Sequence, residues 1–198
     1  MEFSVRPIGT VSNDRTEAVD DDWDRVTSRI QLDADQMELE WPDGGATAGL
    51  REFSHVEVLY LFHALDDSKV QHGARRPRSN PDWPEVGILA QRSRHHPNRL
   101  GSTVCELLTV RPGGIVEVRG LDAIDGTPVL DIKPYFAQFG PRGDLRQPAW
   151  VDELTADYWV ADDAEPERLD EVTRQRWEAE ATRSPTEVGT VELIAARP

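Results

Sequence analysis

Short apolar segments, separated by turn residues, run through the first 135 residues of the chain. The segment 53–63 is long, largely apolar and rich in β-branched and aromatic residues, so it predicts a central strand. The turn at 111–114, with one proline and two glycines, predicts a hairpin between the apolar runs on either side. Further strands are predicted at residues 5–11, 26–32, 37–41, 86–91, 103–110, 115–121 and 129–132. Because helical periodicity is scarce here, the pattern indicates a mainly β fold, either a β-barrel or a sandwich-like sheet.

The chain beyond residue 138 follows a different pattern. Residues 164–182 have helical composition, and Leu169, Val172 and Trp177 form a broad apolar stripe on that helix. Such a stripe is typical of a helix that packs against a neighbouring core, here the barrel. A last strand is predicted at residues 188–195.

These patterns divide the chain into two parts. We expect a β-barrel domain at residues 1–138 and a C-terminal extension at residues 139–198, made of a helix and a strand. Aromatic residues stand out in the extension at Trp150, Tyr158 and Trp159. Two roles stay open for the extension, a lid over a binding pocket and the contact of a homodimer.

The composition limits the class of protein. A chain of 198 residues is long enough for one domain with a real core. No apolar run approaches the roughly 18–20 residues of a membrane span, and residues 1–10 lack the pattern of a secretory signal. We therefore expect a cytoplasmic protein. The single cysteine, Cys105, lies in a strand-like run, which favours a buried thiol over a nucleophile.

The charge is strongly acidic, with 37 acidic against 22 basic residues and a formal net charge of -15. Lys69 and Lys133 are the only lysines, so nearly all the basic residues are arginine. This halophilic composition suggests a high-salt cytoplasm. In dilute buffer the net charge argues against a polyanionic partner. Near 1 M salt the Debye length is only about 3 Å, so a local arginine patch would decide instead.

Two segments each join a strand-like run to a tight polar turn that contains proline, at residues 87–101 and 121–135. Such turns fix backbone groups in place, as a small-ligand site requires. Both segments resemble signatures of the TsaA-like family, whose best-known members are TrmO-type tRNA methyltransferases. Residues 125–135 match the second signature along their whole length. With shorter matches near residues 7–9, 53–55 and 62–63, the resemblance covers roughly residues 5–136.

The first signature, Arg-Ser-Pro-x-Arg-Pro-Asn-Pro-Ile-Gly in the family, is matched only in part. The matching residues are Arg92, Ser93, Pro97, Asn98 and Gly101, with Leu100 in place of isoleucine. The chain departs from the pattern at Arg94, His96 and Arg99, where the family commonly has proline, arginine and proline. The loop is therefore expected to be present with altered charge and stiffness.

The resemblance implies binding of S-adenosylmethionine on a β-barrel. In agreement, the chain lacks the glycine-rich loop and the acidic residue about twenty positions later that mark a dinucleotide fold. From composition alone, the turn at 125–128 favours a plain structural role, and the resemblance reverses that preference. The implied cofactor-binding residues are Arg92, Ser93, Pro97, Asn98, Leu100, Ile124, Asp125, Gly126, Thr127, Pro128, Leu130 and Lys133.

Methyl transfer needs two partners held in line, which can contribute about 7–11 kcal/mol, and a group that removes a proton from the acceptor. The candidates for the base are Tyr135, His63 and Asp131. His63 is equally compatible with core packing, and Asp131, like Asp122, is better suited to anchoring a loop. No cluster of histidine, cysteine and carboxylates has metal-ligand spacing, so no metal is expected.

The acceptor implied by the resemblance is N6 of threonylcarbamoyladenosine next to the tRNA anticodon. The candidate RNA-binding residues form an arginine patch around the cofactor, Arg75, Arg76, Arg78, Arg94 and Arg99. The alternative is that these arginines pair with the abundant carboxylates. Two other functions stay open: methylation of a small metabolite, and a non-catalytic module that binds S-adenosylmethionine.

Overall fold

A computed structural model describes residues 3–40, 45–159 and 191–193. Within these ranges the elements are β1 (Phe3–Val5), β2 (Gly9–Ser12), β3 (Thr27–Leu32), β4 (His55–Leu61), β5 (Ala74–Arg75), β6 (Val86–Gly87), β7 (Leu100–Arg111), β8 (Ile115–Arg119), β9 (Pro128–Pro134), α1 (Ala149–Leu154) and β10 (Val191–Leu193). Six strands close an antiparallel barrel in the order β2-β3-β8-β7-β4-β9. Strands β1 and β10 pair separately, as do β5 and β6. The predicted mainly β fold with a single barrel is confirmed.

The barrel interior is apolar because alternate side chains of each strand point inward. Ile30, Val56, Val58, Val116 and Val118 have no exposed surface. These side chains come from β3, β4 and β8 and belong to one hydrophobic cluster, which also contains Cys105. Since the interior is filled by side chains, a ligand site has to be built by loops at an end of the barrel.

The antiparallel order brings three loops to the same end of the barrel. Strands β2, β4 and β8 end there, while β3, β7 and β9 begin there. The connecting segments are residues 13–26, 62–99 and 120–127. The two signature segments of the sequence therefore meet, because each of them borders one of these loops.

The strand positions agree with the sequence patterns in most places and differ in three. Residues 5–11 do not form one strand: β1 ends at Val5 and β2 begins at Gly9, and Pro7 between them has no N–H to donate. The predicted strand at 37–41 is wrong over residues 37–40. There the chain leaves a turn in which the N–H of Met37 donates to the carbonyl of Asp33 at 2.9 Å.

The third difference lies at residues 86–91, where a full strand was expected. Strand β6 stops at Gly87, and Ile88–Ala90 form a 3-10 helix. Ile88 is buried, whereas Leu89 is 83% exposed. The 3-10 helix buries the side chain of Ile88 and leaves that of Leu89 exposed beside a cavity. The segment therefore forms part of a loop and does not extend a sheet.

The C-terminal extension is described only in part. The helix predicted at 164–182 lies outside the described residues, while α1 was not predicted. Of the strand predicted at 188–195, residues Val191–Leu193 are described and form β10. The division of the chain at residue 138 stays a prediction. None of the helices in the described part of the chain is long and apolar enough to cross a membrane.

Candidate functional site

A cavity of about 830 Å³ lies at the end of the barrel where the three loops meet. Its volume falls within the roughly 300–1,000 Å³ of small-molecule sites. The loops contribute apolar walls, with Phe62, Leu65 and Ile124 among them. The extension closes another side with α1 and the residues that follow it, including Trp150 and Tyr158. The extension thus covers a pocket in this structure, in the position that a lid would take.

Asp122 is the carboxylate that borders the cavity just beyond β8. The hydroxyl of Tyr158 donates a hydrogen bond to its Oδ2, across a sequence separation of 36 residues. Burial raises the pKa of Asp122 to about 6, against the opposing effect of that hydrogen bond. The segment that carries Tyr158 is itself anchored, because the N–H of Trp23 donates to the Tyr158 carbonyl at 3.1 Å.

His63 also lines the cavity, beside the turn of the second signature. A Cβ atom built on Gly126 would lie 3.9 Å from Nε2 of His63. Partial burial lowers the pKa of His63, and the nearby Asp125 carboxylate opposes that effect. The imidazole is therefore neutral at pH 7 and can accept a hydrogen bond or a proton.

The turn at 125–128 is held by its own contacts. Asp125 Oδ1 accepts from the backbone N–H of Asn13 at 3.1 Å. Gly126 has a φ of 76°, a conformation that favours glycine. Thr127 is 2% exposed, and it lines the cavity. The turn thus presents Thr127 to the pocket, while Asp125 serves to fix it.

The first signature loop is braced by hydrogen bonds at two of its departures from the family pattern. Nε2 of His96, which stands where the family commonly has arginine, lies 2.7 Å from the carbonyl of Gln91. The guanidinium of Arg99 donates to the carbonyl of Leu65 at 3.0 Å and pairs with Asp67 at 2.8 Å. At Arg99 the stiffness of a proline ring is thus replaced by side-chain contacts within the same loop.

The structure brings only some of the predicted cofactor-binding residues to the cavity. Those that line it are Arg92, Ser93, Ile124 and Thr127. Those that do not line it are Pro97, Asn98, Leu100, Asp125, Gly126, Pro128, Leu130 and Lys133. Ser93 holds His95 at 3.0 Å through its hydroxyl, and Arg92 donates to the carbonyl of Ser102. The two signature segments therefore meet through a few residues each.

Among the candidate bases, only His63 lines the cavity. Strand β9 begins at the cavity end, and its 7 residues span roughly 20 Å at about 3.3 Å each. Tyr135 follows β9 and therefore lies toward the opposite end of the barrel. Asp131 pairs with Lys133 on the exposed face of β9. The structure thus separates Tyr135 and Asp131 from the pocket that their signature helps to form.

The predicted arginine patch is divided in the same way. Arg75, Arg78 and Arg94 line the cavity, whereas Arg76 and Arg99 do not. Arg76 donates to the carbonyl of Pro81 at 3.3 Å, and Arg99 is held by Asp67. Pairing with carboxylates, the alternative considered from the sequence, holds for Arg78 and Arg99.

An acidic loop lies against two of the cavity arginines. Nη2 of Arg78 lies 2.6 Å from Asp21 Oδ1, and its Nε lies 3.5 Å from Asp20 Oδ2. Arg94 donates to the carbonyl of Ala18 at 3.3 Å. No hydrogen bond or ion pair joins the guanidinium of Arg75 to another described residue. Arg75 is thus the cavity arginine with the most freedom to meet a ligand.

The sequence left open whether the extension covers a pocket, and it did not identify which residues of the extension line the cavity. Trp150, Val151, Leu154, Thr155 and Tyr158 all line the pocket. Trp83 helps to hold this segment, because its Nε1 donates to Glu153 at 2.7 Å and its ring lies 6.5 Å from that of Trp150. The aromatic residues of the extension, which is otherwise polar, were the available signal in the sequence. Their positions in the sequence do not show which surface they pack against.

A family model described as the tRNA-methyltransferase O N-terminal domain matches residues 25–140. A mouse protein named tRNA (adenine(37)-N6)-methyltransferase is 45% identical over 97 residues, which are 49% of this chain and 22% of that protein. The Escherichia coli protein of the same name is 38% identical over 93 residues, covering 46% and 39%. The chain therefore spans well under half of these relatives.

Two other comparisons cover a larger share of both aligned chains. A Methanothermobacter thermautotrophicus protein named "Probable S-adenosyl-L-methionine-binding protein" is 34% identical over 150 residues, 72% of this chain and 97% of that one. The crystal structure of TrmO from Pseudomonas aeruginosa aligns with a TM-score of 0.56 and 29% identity, covering 74% of this chain and 62% of that one. Likeness in sequence and likeness in fold thus point the same way.

Proposed function

Since the chain belongs to the family of the tRNA-methyltransferase O N-terminal domain, we propose that it is an S-adenosylmethionine-dependent methyltransferase. The proposed acceptor is N6 of threonylcarbamoyladenosine beside the anticodon of tRNA. The observation that carries the proposal is one cavity in which residues of both signature segments meet, Arg92 and Ser93 from the first and Ile124 and Thr127 from the second.

The chemistry of the cavity suits S-adenosylmethionine, which supplies a methyl group on a positively charged sulfur. Arg92 is placed to meet a carboxylate, an interaction that a guanidinium makes with charge-assisted hydrogen bonds. Phe62, Leu65 and Ile124 offer apolar surface to an adenine ring. Thr127 offers a hydroxyl from the turn that follows Ile124. The pocket thus has a charged side and an apolar side, as the two ends of this ligand require.

Arginines in the cavity wall support an RNA acceptor. Arg75, Arg78 and Arg94 line the cavity, and phosphates are bound by such side chains. A local positive edge matters here because the chain as a whole carries a net charge of -15. Placement of the acceptor nitrogen in line with the methyl group would supply the main part of the rate enhancement, up to about 7–11 kcal/mol.

A small-molecule acceptor is the second candidate, and one observation favours it. The acidic loop at 18–21 already occupies the edge of the cavity and pairs with Arg78. An RNA would have to compete with those carboxylates, whereas a neutral or cationic metabolite would not. The same loop would also suit a module that binds S-adenosylmethionine without turnover.

The test uses the purified full chain in molar KCl with S-adenosylmethionine. The RNA is tRNA from a strain that lacks this gene, and digested nucleosides are measured by mass spectrometry. We expect one methyl group to be added to threonylcarbamoyladenosine and none to tRNA that lacks the threonylcarbamoyl group. Binding of S-adenosylmethionine by calorimetry without any methylated nucleoside would overturn the tRNA assignment and favour the other two functions.

Variants sharpen this test by separating the two ligands. Arg75→Ala and Arg94→Ala together are expected to weaken tRNA methylation by more than tenfold and to leave the affinity for S-adenosylmethionine within about twofold. Arg142→Ala with Arg146→Ala is the matched control, because both arginines are exposed and neither lines the cavity. Equal losses in both variants would argue against a role of the cavity arginines.

A further inference from the structure

Asp122 is a carboxylate in the cavity wall that was expected from the sequence to anchor a loop. It follows β8 at the cavity end of the barrel and lines the pocket together with Phe62, His63 and Ile124. Asp122 is half-buried, and a carboxylate shielded from water is costly unless its oxygens find partners. An ionisable group that is kept in a binding cavity despite this desolvation cost is often a functional group.

The two carboxylate oxygens of Asp122 differ in their hydrogen bonds. Its Oδ2 accepts from the hydroxyl of Tyr158, so that oxygen is engaged and the carboxylate plane is fixed. Its Oδ1 accepts no hydrogen bond from any residue in the described part of the chain. One oxygen is thus anchored by the extension, and the other is available to a ligand in the cavity.

The charged and titratable groups that act on Asp122 come from several elements. Arg92 and Arg15 favour its ionised form, and Asp20 opposes it. Tyr60 and Cys105 lie on its barrel side, where burial raises the pKa of both groups, so they stay neutral. Burial also raises the pKa of Tyr158, which therefore remains a donor. Burial raises the pKa of Asp122 itself to about 6, so its carboxylate can take up and release a proton near neutral pH.

The other candidates for a proton acceptor in the cavity differ from Asp122 in their contacts. Burial lowers the pKa of both His63 and His95, so each binds a proton less tightly than a free imidazole does. His95 is also engaged, since its Nδ1 lies 3.0 Å from the hydroxyl of Ser93. Asp20 is exposed and paired with Arg78 at the cavity edge. Asp122 lines the cavity and combines a fixed orientation with a carboxylate oxygen that accepts no hydrogen bond from a described residue.

We infer that Asp122 is a catalytic residue that takes the proton from the acceptor nitrogen, and that Tyr158 is a positioning residue that fixes its carboxylate. This inference rests on the proposed function. As the nitrogen–hydrogen bond breaks, its electron pair forms the new bond to the methyl carbon. The sulfur–methyl bond breaks with its electron pair left on sulfur as a thioether. The proton ends on Oδ1 of Asp122 and leaves to solvent after the product.

The experiment measures single-turnover methylation of threonylcarbamoyladenosine tRNA between pH 5 and 9, for the full chain and for Asp122→Asn, Asp122→Glu and Tyr158→Phe. Asp122→Asn is expected to lower the rate constant by about 100-fold or more, as loss of a general base does. Its affinity for S-adenosylmethionine should stay within about threefold by calorimetry. Asp122→Glu should recover part of the rate. Asp35→Asn, the same change at an exposed turn, should behave as the unaltered chain.

Tyr158→Phe should change the pH dependence of the rate, which a purely structural role of Tyr158 would leave unchanged. The hydroxyl of Tyr158 lowers the pKa of Asp122, so its loss should raise that pKa. The acid limb of the rate profile, near pH 6 in the unaltered chain, should therefore move upward, while the rate at pH 9 is largely kept. This variant keeps the inference testable even where Asp122→Asn does not fold.

The outcomes separate this inference from the proposed function. No methylation by the unaltered chain would overturn the proposed function itself. Methylation by Asp122→Asn within threefold of the unaltered chain, with the same acid limb, would overturn only the role of Asp122. Loss of S-adenosylmethionine binding in Asp122→Asn would assign the carboxylate to ligand binding and also overturn its role as base. An acid limb that Tyr158→Phe leaves in place would overturn the role of Tyr158.

Discussion

The ring of Tyr60 lies against Gly101, its partner across the strand pair β4–β7. A Cβ atom built on Gly101 would lie 2.3 Å from Cε2 of Tyr60, closer than two such atoms can approach. The ring has no room to retreat, because Tyr60 is 1% exposed and its hydroxyl lies 3.2 Å from Oγ1 of Thr103. The last glycine of the first signature is thus required for packing, and it fixes where the loop before it enters the barrel.

We predict that Gly101→Ala destabilises the fold by about 1–3 kcal/mol, the usual cost of an overpacked core. Gly73→Ala is the matched control, because a Cβ atom there would meet nothing within 4 Å. Urea unfolding of both variants measures the difference. If Gly101→Ala loses no more stability than Gly73→Ala, the barrel accommodates the methyl group and the packing argument is wrong.

Arg92 and Lys133 make a second comparison, since both were assigned to the cofactor but only Arg92 lines the cavity. Arg92→Ala should weaken the binding of S-adenosylmethionine about 10- to 100-fold, because a hydrogen bond to a charged group contributes about 1.5–3 kcal/mol. Lys133→Ala should leave it within about twofold. Calorimetry on the purified chain in molar KCl gives both values.

The opposite result for Lys133 would have a specific meaning. A large loss of affinity in Lys133→Ala would show that Lys133 contacts bound S-adenosylmethionine, although it does not line the cavity of its own chain. The predicted homodimer would then gain support, with the exposed face of β9 of one subunit completing the site of the other. Titration of the two variants together, with recovery of binding in the mixture, would test that arrangement directly.

The acidic loop at the cavity edge predicts a dependence of RNA binding on salt. Asp20→Asn with Asp21→Asn should strengthen tRNA binding several-fold near 0.1 M salt, because Arg78 would be released from its carboxylate partners. The gain should largely disappear near 1 M salt, where the Debye length is about 3 Å. Filter binding across a salt series measures the effect.

A control with the same change in net charge distinguishes release of Arg78 from a general reduction of repulsion. Asp35→Asn with Glu38→Gln removes two exposed carboxylates away from the cavity. An equal strengthening in this control would show that net charge alone sets the affinity, and that the contacts of Arg78 with the acidic loop are incidental.

We predict that replacement of Asp122 lowers activity but raises stability. Its pKa in the folded chain is raised to about 6 from an ordinary value near 3.8, so the folded state binds the proton more tightly than the unfolded state. This contribution to stability is present at pH 4 and is lost as pH rises through 6. Asp122→Asn should therefore raise the free energy of unfolding at pH 8, by about 1–3 kcal/mol, with a smaller effect at pH 4. Urea unfolding at both pH values checks the sign, and a larger loss of stability at pH 8 than at pH 4 would contradict it.

The strands of the barrel could be predicted because their signal is local. Residues 26–32, 103–110 and 115–121 alternate or run apolar between turn residues, and each became a strand of the barrel. The error at 88–90 arose where a short apolar run carries no periodicity, so a 3-10 helix competes equally with a strand. Residues 37–40 alternate apolar and polar side chains as a strand does, but no strand in the described part of the chain pairs with them. Arg92, Ser93, Ile124, Thr127 and His63 could be placed at the site because each lies in or beside a recognisable loop.

Period-two patterning and turn residues act over a few positions, so the mainly β class, most of the strands and the two loops that border the cavity can be predicted from the sequence. Which side chains share the cavity follows from the folded arrangement. Closure of the sheet sent Tyr135 toward the far end of β9, and it brought Tyr158 to Asp122 from 36 residues away. Arg78 likewise met Asp21 across 57 residues. Such meetings depend on strand order and on the packing of the extension, which no local pattern encodes.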